Sequence, residues 1–158
     1  IHYHFGSKEG LYSAVKERLM REGSRSILSV SDGSRDGKVS PSDLIRASYG
    51  FVSGNEDLMR LAAWSHLERE KTPWPGEEEL TRLIAEHIQR FLPDVPNGRN
   101  VDPLMATIMM GALILYWGQY SHYYSGYFDV PLARATDRYL DQIAGLFFPE
   151  TGSRDIEE

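Results

Sequence analysis

Apolar residues recur at steps of three and four almost from end to end of this chain, while period-two alternation bounded by turn residues is hard to find. That spacing puts one apolar stripe on each of a series of helices and predicts an all-α fold. The punctuation agrees. Ser7 is placed to cap a first long helix, with Glu9 in its opening turn and Leu11, Val15, Leu19 and Ile27 along one face. A polar Gly/Asp/Ser run, residues 31–38, reads as a loop. Ser40-Pro41-Ser42-Asp43 restarts a helix with Ser40 as N-cap, Pro at the first position and Asp43 closing a capping box. Gly54 ends that helix, and Asn55-Glu56-Asp57 opens the next, expected to reach about Lys71 before Thr72-Pro73-Trp74-Pro75-Gly76 breaks it.

Two later segments contrast. From Glu77 to Leu92, Leu80, Leu83, Ile84, Ile88 and Phe91 form one apolar face opposite Glu, Arg and Gln, as expected of a helix lying on a surface; His87, on the apolar side, reads as a boundary residue. Asp102-Pro103 then caps a helix running to about Gly126 that is apolar on all sides and must be covered on more than one face. Thr107, Gly111, Gly118 and Gln119 interrupt it, so it reads as a buried helix; a membrane span needs about 20 strongly apolar residues. A final helix, Leu132 to about Phe148, carries Ala135, Tyr139, Ile143 and Phe147 on one face, and the polar residues 149–158 form a tail.

Composition narrows the chemistry. The chain has 158 residues with no cysteine and a formal charge of −6. Disulfides, thiolate zinc sites, iron–sulfur clusters and cysteine nucleophiles are excluded, which suits a reducing cytoplasm. There is no basic then apolar leader at the start, and a first residue of Ile in place of Met points to sequence upstream.

The densest motif is Ile1-His2-Tyr3-His4-Phe5-Gly6-Ser7-Lys8-Glu9-Gly10-Leu11. It resembles the signature of TetR-type transcriptional regulators, in which an apolar-Tyr-Tyr-His-Phe run ends the recognition helix of a helix-turn-helix, a Gly breaks it, and Ser-Lys-Glu opens the helix that joins the DNA reader to the ligand domain. His2 departs from the family's more usual Tyr. The resemblance implies that residues 1–6 end a helix-turn-helix lying mostly upstream and that residues 7–148 form a helical ligand-binding and dimerisation domain. It implies that Tyr3, His4 and Lys8 meet the phosphate backbone of double-stranded operator DNA, Lys8 from a helix N-terminus that favours anions. Phe5 would anchor the core, and the last two helices would pair with a second copy through Tyr139, Ile143 and Phe147. The function implied is a cytoplasmic, homodimeric repressor released by a small molecule; the missing basic surface would then lie upstream.

Aromatic and polar groups mix at Trp64, His66, Tyr116, Gln119, Tyr120 and Tyr123, and positions 116, 119, 120 and 123 share one helix face. Each residue alone is more readily a core residue, but together they are the expected pocket. The long helix has no acid or base in its middle, which favours a small hydrophobic or aromatic effector. The Asp32 to Asp43 loop resembles an EF-hand calcium loop at several positions, but Asp43 stands where a bidentate Glu is needed and no second loop pairs with it. A Gly-rich connection followed by a capped helix accounts for the same residues. No nucleophile elbow, Gly-rich phosphate loop or HExxH occurs, and His66 with Glu70 offers only two ligands, so no enzyme, metal site or cofactor is expected. The alternative is an all-helical small-molecule or calcium-binding module with no role on DNA.

Overall fold

Three of the helices begin where a side chain accepts from orphan backbone N–H groups. In the computed structural model, which describes residues 7–33, 39–69, 71–94 and 98–149, the helices are α1 (Lys8–Gly33), α2 (Pro41–Ser53), α3 (Glu56–Leu67), α4 (Glu77–Phe91), α5 (Pro103–Tyr124) and α6 (Leu132–Phe147), with no strand among those residues. Short 3-10 turns follow α4, precede α5 and follow α5. Gly10 N–H donates to Ser7 Oγ at 3.0 Å. Asp43 N–H donates to Ser40 Oγ at 3.1 Å while Ser40 N–H returns to Asp43 Oδ2 at 3.0 Å, the reciprocal capping box. The bonds that the Asp43 carboxylate accepts, first from the Ser40 hydroxyl at 2.7 Å and then from the Ser40 N–H, hold its pKa below the ordinary range. Asp102 Oδ1 accepts from Leu104 and Met105 N–H at 2.8 and 3.0 Å. Before α4, Gly76 takes a left-handed φ of 82°, available at little cost only to glycine, and Glu77 reaches back to accept the Trp74 N–H at 2.7 Å.

Two boundaries differ from expectation. α1 runs on to Gly33, into the segment expected to be a loop. α3 stops at Leu67, short of Lys71, because Arg69 adopts φ 53° and its N–H folds back to the His66 carbonyl at 3.2 Å. Asn55 precedes α3 without capping it; its amide donates instead to the Phe51 carbonyl at 2.6 Å, tying off the end of α2.

α5 occupies the centre, packed against α2, α3, α4 and α6, while α1 lies across α2, α3 and α4. Leu44 of α2, Ile88 of α4 and Ile143 of α6 are the largest fully enclosed side chains and mark the core. Burying each stabilises by roughly 1.5–3 kcal/mol relative to exposure. Where α5 crosses α2, a Cβ at Gly118 would come within 2.8 Å of Val52 Cγ1, so the two helices approach as closely as they do only because position 118 has no side chain. His87 is a buried residue, correcting the boundary reading; its Nδ1 lies 2.7 Å from the Leu83 carbonyl, which requires a proton on that nitrogen. On the surface, Arg46 of α2 forks to Asp137 and Asp141 of α6 at 2.8 and 2.7 Å. All three are substantially exposed, so the clasp contributes about 1 kcal/mol or less.

Candidate functional site

A cavity of about 490 Å³ opens between α1, α2, α3, α4 and α5. α1 supplies Met20, Gly23 and Ile27, and α2 supplies Leu44, Ser48 and Phe51. Leu58, Ala62 and Ser65 come from α3, Trp74 from the loop after it, and Glu77, Leu80, Thr81 and Ile84 from α4. The first half of α5 closes the wall with Thr107, Met110, Gly111 and Ile114. Ile108 and Leu115 also line it yet remain 53% and 38% exposed, which places the mouth along that edge of α5. Interiors pack to crystal density with few voids larger than a water molecule, so this space is large beside ordinary packing defects. Its volume falls within the roughly 300–1,000 Å³ of small-molecule sites, and its wall is mostly apolar with a few placed hydroxyls.

The six residues expected to form a pocket do not line this cavity. Tyr116, Gln119, Tyr120 and Tyr123 share a face of α5 as expected, but that face is exposed, Tyr123 at 70%. There Tyr116 packs on Tyr120 with ring centroids 4.9 Å apart, and its hydroxyl lies 2.6 Å from that of Tyr124. Trp64 is 50% exposed and stacks on Tyr12 of α1 at 6.4 Å, and His66 is exposed beside it on α3. The expected set and the cavity lining differ for a physical reason: the expectation followed the large aromatic side chains of α5 toward its C-terminus, whereas a cavity needs small residues that leave room. Thr107, Gly111 and Ala112 on α5, with Ala62 and Ser65 on α3, carried that signal.

No protein-family model, curated protein or solved structure matches this chain. The site is therefore read from its own geometry.

The three residues expected at a dimer face all pack within the single chain. Ile143 is 2% exposed within a single chain. The Tyr139 ring stacks on buried Trp117 at 4.3 Å and its hydroxyl donates to the Leu113 carbonyl at 3.0 Å, with burial raising its pKa. Phe147 packs half-buried against the same core. These three residues join α6 to its own chain. What α5 leaves open is a stripe of Met105, Met109, Ala112, Tyr116, Tyr120 and Tyr123, all exposed and spaced so as to fall on one side of the helix.

Lys8 opens α1, exposed, with Nζ 5.6 Å from the Tyr12 ring centroid and 5.9 Å from that of Trp64. Tyr3 and His4 lie outside the described residues, as do Ser34 and Asp36 of the calcium-like loop and Glu70 beside His66. Asp43, the last position of that loop, has its carboxylate engaged with Ser40. Among the described residues no group of three or more His, Asp or Glu could hold a metal ion, and no helix is long and apolar enough to cross a membrane.

Proposed function

We propose that the chain is the effector-binding and dimerising part of a TetR-type transcriptional regulator that leaves its operator when a small, mainly apolar molecule fills the cavity. One observation carries the reading: the cavity wall includes Met20, Gly23 and Ile27 of α1, the same helix that Ser7-Lys8-Glu9 opens directly after the Tyr3-His4-Phe5 run. A ligand in the cavity and a phosphate at Lys8 would thus act on opposite ends of one rigid element. α3 also spans both regions, with Leu58, Ala62 and Ser65 on the cavity and Trp64 stacked on Tyr12 near the start of α1.

The mechanism is a population shift. Two recognition helices match successive major grooves about 34–36 Å apart in one arrangement of the dimer, and the effector favours another. The surface offered to the second copy is the exposed apolar stripe of α5. Lys8 holds register through a backbone phosphate and reads no base.

The test is reciprocal. A small aromatic compound that binds the cavity should weaken operator binding, and operator DNA should weaken the compound by the same factor. Lys8→Ala should weaken specific and random DNA about equally and lower the salt slope by about one. A compound that binds without changing operator affinity, or a protein indifferent to DNA sequence, would sink the proposal.

A further inference from the structure

The polar groups on the cavity wall nearly all present the same sense to a ligand. Ser48, Thr81 and Thr107 each donate their hydroxyl proton to the carbonyl four residues earlier, those of Leu44, Glu77 and Pro103, at 2.9, 2.7 and 2.8 Å. Each therefore turns only oxygen lone pairs toward the space. The indole N–H of Trp74 is directed to Ser65 Oγ at 3.2 Å, which leaves the Ser65 hydroxyl proton as the one side-chain donor on the wall. Among the described residues that line the wall, Glu77 is the only ionisable one and none is basic. Lys16 is not on the wall; its Nζ is held 5.0 Å from the Trp74 ring centroid. Glu78 and Glu79 share the first turn of α4 with Glu77; Glu78 is paired with Arg82 at 2.6 Å, and the two other carboxylates still outweigh the roughly half unit of positive charge at a helix start.

An anionic ligand fits this wall poorly. Its carboxylate would give up hydration for a single hydroxyl donor and would share the space with like charge. An ammonium group has three N–H donors and no acceptor, which is what lone pairs and a carboxylate complement. From that complementarity we infer that the cavity takes an apolar amine, its hydrocarbon or aromatic body filling the space between the helices and its protonated nitrogen toward Glu77, and that it discriminates against carboxylates of the same shape. The inference rests on reading the cavity as the effector site and narrows the effector to one chemical class.

A matched series tests it: one naphthyl-ethyl skeleton bearing an amine, an alcohol or a carboxylate, each titrated calorimetrically into the whole chain near neutral pH. The amine should bind tightest and the carboxylate about tenfold or more weaker, with the alcohol between. Glu77→Gln keeps an oxygen to accept the Trp74 N–H; it should weaken the amine about fivefold and leave the alcohol unchanged. A carboxylate that binds as well as the amine, a Glu77→Gln effect equal on amine and alcohol, or no binding by any of the three overturns the inference. The expected order without any release of operator DNA supports it and overturns only the regulator reading.

Discussion

α4 and α5 lie against one another and show opposite ways in which a helix meets a core. α4 has one apolar face and one charged face, so the side that packs is decided by residue type: Ile88 is enclosed, Leu80, Leu83, Ile84 and Phe91 are half-buried, and Glu78, Arg82 and Arg90 are exposed. α5 is apolar all round, and its neighbours decide. They enclose Ala106, Thr107, Met110, Ile114, Trp117 and Ser121 and leave Leu104, Met105, Ile108, Met109, Tyr116 and Tyr120 exposed. Residue chemistry does not separate the two sides cleanly, since two of the enclosed six are hydroxyl residues while the exposed side is mostly apolar or aromatic, with Gln119 and His122 as its polar members. A second protein surface could cover what α5 exposes, whereas nothing comparable is asked of α4.

Charge inserted on the two sides of α5 gives the largest contrast. Ile114→Asp places an unpaired carboxylate in the core and should cost several kcal/mol in denaturant unfolding. Met109→Asp should change single-chain stability by about 0.5 kcal/mol or less. The same Met109→Asp should shift light scattering from dimer to monomer if the α5 stripe is the contact with a second copy. Equal losses of stability for the two variants would mean that the two faces of α5 are not distinguished in this way.

The glycines of α5 sharpen the comparison at smaller scale. Gly118→Ala drives a methyl to within 2.8 Å of Val52 Cγ1 and should cost about 1–3 kcal/mol through overpacking. Gly111→Ala meets no atom within 4 Å and faces the cavity, so it should stabilise the helix by roughly 0.5–1 kcal/mol while reducing room for a ligand. Thermal melts of the two variants should move in opposite directions; a fall in both would mean that Gly111 is also at a packed contact.

The smallest expected effect is at a helix start. Asp43→Ala removes half the capping box of α2 and should cost about 1 kcal/mol at neutral pH, toward the low end because the group is largely in solvent. The folded pKa of Asp43 is depressed. Its contribution is therefore fully present above the ordinary aspartate value of about 3.9 and is lost as pH falls through the depressed folded value. Urea midpoints of wild type and variant should converge in that acid window and not above it.

The caps show how much was legible in order of residues alone. Ser7, Ser40 with Asp43, and Asp102 all cap as read, because a cap joins groups two to three residues apart and needs no distant partner. The all-helical class and the break at 72–76 followed from the same local chemistry. The end of α3 escaped because nothing in Arg69 itself announces a left-handed φ.

What sequence by itself determined is where helices begin and which side of an amphipathic helix faces inward, since both are properties of residues within a few turns. Only the tertiary structure decided which side of α5 is buried, that Tyr139, Ile143 and Phe147 join their own core, and that the cavity lies by Gly111 instead of the tyrosines. Those outcomes depend on the volume left between helices far apart in the chain, and a void has no residue of its own to mark it.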